Sequence, residues 1–142
     1  MNIKQSIIVR RPVETTFKAF TADLGRWWPL RQFSFGGKRT KEIHLEGKVG
    51  GRFYERFTDG DEFTIGTVSL YDPPNQVIFT WQQPDWNAPT TVDVKFTPVP
   101  EGTLVELEHT GWETAGIPSD DAANYRKGWG IILQIFSDTQ QG

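Results

Sequence analysis

The sequence predicts an α+β fold: one antiparallel sheet with its helices gathered on a single face. Three observations lead there. Apolar residues recur with a period of two from residue 41 to residue 112. Short turns break that run into strands, and short turns pair neighbouring strands antiparallel. Apolar residues at helical spacing flank the run, over 13–24 and 125–136.

The elements follow in order. "IKQSIIVRR" (3–11) is rich in β-branched residues and reads as a first strand. Pro12 suits the first turn of a helix, where its missing N–H costs nothing. Val13, Phe17, Phe20 and Leu24 then build one apolar helical face. Gly25 interrupts it, and Arg26 to Pro29 form a short second helical turn or the end of the first helix. Six strands come next: 41–47, 51–57, 62–72, 75–83, 90–99 and 102–112. "KVGG", "TDGD" and "DPP" supply turns between them. The last helix opens with Ser119 as N-cap, and Asp120 and Asp121 sit where its dipole favours anions. Tyr125, Trp129, Ile132, Leu133 and Phe136 share its apolar face. Gly128 and Gly130 each weaken that helix by roughly 1 kcal/mol relative to alanine, so a close approach or a bend is expected there.

Composition narrows the function. The 142 residues fit a single domain spanning 1–142. The net charge of −3, with both signs interspersed, argues against a nucleic-acid module. With no cysteine, disulfides, thiolate metal sites and cysteine nucleophiles are excluded. No apolar run reaches membrane-spanning length and no signal peptide opens the chain, so a cytoplasmic location is the expectation. Six tryptophans and ten phenylalanines exceed what a small core needs, which suggests a cavity lined by rings.

Six segments occur in an order that resembles a known superfamily: "RRPVETTFKAFT", "RWW", "GKVGGRFYE", "GTVSLYDPPNQVIFTW", "TLVELEHTGW" and "YRKGWGIILQIF". The chain resembles the SRPBCC or START-like helix-grip superfamily, and within it the activator of heat-shock-protein-90 ATPase homologue-like family. The resemblance covers nearly the whole chain. It implies a curved sheet of about seven strands wrapped around a long C-terminal helix, with two short helices after the first strand. It also implies a deep cavity between sheet and helix, where superfamily members hold lipids, sterols, polyketides or plant hormones. A few members catalyse cyclisation or dehydration. The eukaryotic co-chaperone carries such a domain behind a separate N-terminal domain; this chain opens on the first strand, so that domain is expected to be absent.

Candidate site residues follow from phase. Trp81 is in phase with Val77 and Phe79, and His109 with Val105 and Leu107, so each is expected to face inward. His109 either orients a ligand or moves a proton, or is simply hydrogen-bonded at a strand end. Glu55 alternates with Phe53 and Phe57, and either that set or Arg52, Tyr54 and Arg56 is the buried face. Trp27 and Trp28 straddle the centre of the first helix's apolar side; Trp28 is assigned to the cavity and Trp27 to the core. Trp86 and Trp112 are expected at the rim, and Phe33 and Phe35 as a lip. The expected ligand-binding set is Trp28, Phe53, Val68, Phe79, Trp81, His109, Tyr125 and Trp129. The two histidines, His44 and His109, lack metal-site spacing, and no metal or cofactor is expected.

The leading functional expectation is a protein that binds a small hydrophobic or aromatic molecule. One alternative is an enzyme of the polyketide cyclase/dehydratase type, with His109 or Glu55 as general base. A second is a protein-interaction role, as a chaperone ATPase activator or a homodimer subunit.

Overall fold

Two prolines set where the helices begin. The structure, a computed structural model, describes residues 2–141. Strand β1 (Ile3–Val9) leads into helix α1 (Val13–Phe20). Pro12 takes the N-cap position, one residue earlier than expected, with ψ at 156°. The C-terminal helix α2 (Ser119–Thr139) repeats the arrangement with Pro118. Ser119 is therefore the first helical residue rather than the cap, and no side chain caps the helix. In both cases the proline carbonyl accepts the first helical bonds, from Thr16 N–H and from Ala122 N–H. Pre-set φ at the proline replaces a capping side chain.

Helix α1 ends at Phe20, short of the Leu24 that its apolar face suggests. The Thr21 hydroxyl donates to the Phe17 carbonyl at 2.7 Å, and the chain then re-forms as a 3₁₀ turn over Leu24–Arg26. Leu24 is still buried, so the apolar stripe continues across the break.

The remaining strands are β2 (Thr40–Leu45), β3 (Arg52–Phe57), β4 (Glu62–Asp72), β5 (Gln76–Trp81), β6 (Thr90–Val99) and β7 (Gly102–Thr110). All pairings are antiparallel, in the order β1-β7-β6-β5-β4-β3-β2. The first strand thus returns beside the last, and β2 is left at the far edge.

Irregularities in register are confined to the β2–β5 half. They fall between Thr40 and Glu42, between Phe53 and Tyr54, and between Val68 and Leu70. Bulges bend a strand and increase its twist, so this half curls inward. Gly66 lies at the tightest point: a Cβ there would sit 1.6 Å from the Thr80 carbonyl oxygen. Only a residue without a side chain lets β4 and β5 close to that distance.

The concave face packs on α1 and α2. One end of the core joins Phe17, Phe20, Phe96, Trp27 and Phe136, with ring centroids 4.6–5.7 Å apart. The middle joins Trp28, Phe53, Phe79, Trp81 and Trp129. At the other end Trp112 and Tyr125 contact each other, and each contacts both His109 and Trp86. Trp112 (1% exposed) and Trp86 (7%) are core rather than rim. Within the 111–118 segment Ile117 N–H bonds to the Trp112 carbonyl.

Candidate ligand cleft

The alternation of Trp28, Trp81 and Trp129 across three elements leaves a cleft between α2 and the 28–35 segment. Its volume is about 260 Å³. Trp28 and Trp81 form its inner walls, Phe33 and Phe35 its lip, and Tyr125, Trp129 and Ile132 its helical side. Gln32, Ser34 and Asn124 bring polar groups to it, and among the described residues no charged side chain lines it.

The paired tryptophans divide their work through their N–H groups. Trp27 donates to the Ala19 carbonyl at 2.8 Å and packs on Phe136 at 4.6 Å, inside the core. Trp28 donates to the Phe33 carbonyl at 2.8 Å, which ties the lip to the cleft wall. A buried indole needs such a partner, and each finds a backbone oxygen.

Glu55 points inward, so the phase that pairs it with Phe53 is the buried one. It is fully buried, and its carboxylate accepts three hydrogen bonds: from Phe35 N–H (2.7 Å), Gly36 N–H (3.1 Å) and the Thr40 hydroxyl (2.9 Å). It therefore fastens the lip from beneath. Arg52, Tyr54 and Arg56 take the outer face, where both guanidiniums stack on Tyr54 and pair with Glu62.

His109 also points inward and is fully buried. Trp129 Nε1–H donates to His109 Nδ1 at 2.9 Å. An indole nitrogen only donates, so Nδ1 carries the lone pair and Nε2 the proton. Nε2–H then donates to the Thr90 hydroxyl at 2.6 Å, which donates to the Trp81 carbonyl at 2.7 Å. The chain of bonds links two cleft walls through the sheet. Burial pushes the imidazole pKa down to about 3. Tyr125 completes the frame: its hydroxyl accepts from Trp81 Nε1–H and donates to the Gln83 side-chain oxygen, both at 2.9 Å. Burial is the main reason its pKa is pushed up to about 12.

Of the residues expected to bind a ligand, Trp28, Trp81, Tyr125 and Trp129 line the cleft. Phe53, Val68, Phe79 and His109 lie behind that wall, each at most 1% exposed, because the indoles fill the space a deep cavity would occupy. Sequence reasoning passed over Gln32, Ser34, Asn124, Gly128 and Ile132 as lining residues. Gly128 carried a signal. Its missing side chain admits Phe33, whose ring a Cβ would meet at 3.3 Å. Gly130 does the same for Gln5 of β1, whose amide donates to the Arg126 carbonyl at 3.0 Å. Asn124 lies on the exposed side of α2 and carried none.

Among the described residues, no three His, Asp or Glu side chains come together as a metal would need. No helix among them is long and apolar enough to cross a membrane.

Comparison with known proteins places this geometry. The structure is similar to a solution structure of the Aha1 dimer from Colwellia psychrerythraea, with a TM-score of 0.72 at 22% identity, over 99% of this chain and 96% of that one. It is similar to protein MLL2253 from Mesorhizobium loti, with a TM-score of 0.69 at 18% identity, over 97% and 95% of the two chains. An anthrahydroquino-gamma-pyrone synthase, Txn09, shares 32% identity over 77% of this chain and 75% of its own, with a TM-score of 0.56. No curated protein matches the sequence. The curved sheet gripping a C-terminal helix is the helix-grip fold. The family model for Activator of Hsp90 ATPase homolog 1-like protein matches residues 10–140, and the chain belongs to that family.

Proposed function

We propose that the chain binds a small, flat, mainly apolar molecule in the cleft bounded by Trp28, Trp81 and Trp129. The observation that carries this reading is the chemistry of the wall: indole and phenyl rings, no charge, and a few amide and hydroxyl groups. Flat rings favour edge and offset contacts with such walls, and sparse polar groups set orientation. An apolar void of about 150 Å³ holds one benzene ring. The cleft's 260 Å³ therefore suits about two fused rings. Titration of intrinsic tryptophan fluorescence with naphthol tests the reading. A saturable change that Trp28→Ala abolishes is expected; no saturable change overturns it.

A catalytic role in the same cleft is the second reading, favoured by the 32% identity to a pyrone synthase. Against it stand the two candidate bases. His109 has both ring nitrogens bonded, and Glu55 has three donors on its carboxylate. Neither lines the cleft. The likeness to an Aha1 dimer makes chaperone activation and self-association separate tests, read as ATP turnover by the organism's chaperone and as mass in solution.

A further inference from the structure

Phe35 belongs to two concavities at once. Its ring closes one end of the tryptophan-lined cleft, where it lies 5.9 Å from Trp81. Its other side faces Phe63 at 5.5 Å, in an edge-on contact. Beyond it lies a second concavity of about 420 Å³, whose lining includes Phe35, Arg39, Phe57, Asp61, Glu62 and Phe63. Among the described residues, Phe35 is the one common to both linings.

We propose that Phe35 is a partition that sets ligand length, and that the second concavity is a subsite for a polar extension of the ring system held in the cleft. The proposal rests on the ligand-binding reading above and assigns that site's specificity. Three observations support it. First, the backbone at this point is held independently of the ring, since Phe35 N–H and Gly36 N–H both bond to Glu55. The ring can turn or be replaced while the lip stays in place. Second, the ring is only half-buried, with an aromatic neighbour on either side and no polar anchor of its own. Third, the two spaces differ in chemistry. The cleft is uncharged, whereas the lining of the second concavity combines Phe57 and Phe63 with the charged Arg39, Asp61 and Glu62.

Arg39 lies over the Phe57 ring at 4.6 Å and pairs with Asp59 at 3.6 Å. The charges around this space thus have both signs and are partly matched. A tail rich in hydroxyl groups meets donors and acceptors there without leaving an ion unpaired, whereas a singly charged tail always meets a like charge. The ligand class this geometry selects is a compact aromatic ring system carrying a neutral, hydrogen-bonding substituent.

The test compares naphthol with a naphthyl glucoside, which keeps the two rings and adds a hydroxyl-rich tail larger than the phenyl group of Phe35. Affinities come from tryptophan fluorescence of the full chain. Phe35→Ala is expected to raise the glucoside-to-naphthol affinity ratio about tenfold, the size of effect one good new contact supplies. Phe35→Trp is expected to leave the ratio unchanged or lower it. Phe33→Ala is the control, because Phe33 lines the cleft but not the second concavity. A rise in the ratio for Phe33→Ala equal to that for Phe35→Ala overturns the partition, since any enlarged cleft would then suffice. An unchanged ratio in Phe35→Ala also overturns it, while naphthol binding leaves the ligand-binding reading standing. If neither probe binds any variant, the underlying reading fails and this one with it.

Discussion

Trp129 holds His109 in one tautomer and one charge state. The indole N–H aimed at Nδ1 from 2.9 Å leaves that nitrogen nothing to do but accept. Protonation would set N–H against N–H in a buried site. The histidine thus works as a neutral link between a helix and two strands, and burial, which lowers its pKa to about 3, keeps it uncharged.

A pH dependence follows. The unfolded histidine titrates near its ordinary 6.5, the folded one near 3. Between those values the unfolded chain binds the extra proton, so His109's contribution to stability is present above 6.5 and is lost as pH falls toward 3. The slope is about 1.4 kcal/mol per pH unit. Urea denaturation from pH 7 to pH 4 should show wild type losing stability more steeply than His109→Gln, whose amide is neutral throughout. Parallel curves would refute the assignment, as would an imidazole NMR titration centred near 6.5.

At alkaline pH the marker is Tyr125. Its raised pKa of about 12 means the folded state retains the phenolic proton that the unfolded state loses near 10. The associated stability is present below 10 and disappears as pH rises through 12. Tyrosinate absorbance should show a late step that Tyr125→Phe removes. The same variant leaves the Trp81 indole N–H without its partner and should cost about 1–3 kcal/mol in urea denaturation.

Glu55→Gln tests the anchoring of the lip. An amide presents one acceptor and one donor to three converging donors. A loss of about 1–3 kcal/mol is expected, the cost of leaving a buried group badly paired. Hydrogen exchange at the Phe35 and Gly36 amides should accelerate more than exchange in β6. Equal acceleration across the sheet would mean that Glu55 supports the core and not the lip.

Two glycines should respond in opposite senses. Gly66→Ala places a methyl group against the Thr80 carbonyl, in backbone that cannot yield, and is expected to cost more than about 4 kcal/mol. Gly128→Ala meets only the tip of the Phe33 ring at 3.3 Å, which can swing outward. Helix propensity then favours alanine by up to about 1 kcal/mol. The variant should melt no lower than wild type yet bind naphthol more weakly, because the cleft narrows. Differential scanning calorimetry and the fluorescence titration separate the two effects.

Most of the fold was legible because side-chain alternation reports directly on burial. Val92, Val94 and Phe96 on β6 and Trp129, Ile132, Leu133 and Phe136 on α2 face the core as their spacing requires. Phase also placed Trp81 and His109 inward. It was ambiguous at Glu55, where both alternating sets of β3 contain aromatic and charged residues. The local features that misled were helix starts and loop aromatics. Pro12 and Pro118 set their helices by backbone geometry, and Trp86 and Trp112 sit in irregular segments without a period to read.

Local periodicity and short connections specify the inward face of β6 and of α2, the antiparallel pairing of successive strands and the resemblance to the family, but not the phase of β3 or the burial of Trp86 and Trp112. How much room the concave face keeps is set by packing between distant segments. That room is the difference between the curl of the β2–β5 half and the volume of the indoles folded into it, and both depend on contacts between residues far apart in the chain. The lip over the cleft exists because Glu55 reaches Phe35 and Gly36 across twenty residues of sequence. No spacing rule encodes such a contact; it appears only when β3 and the loop are packed together.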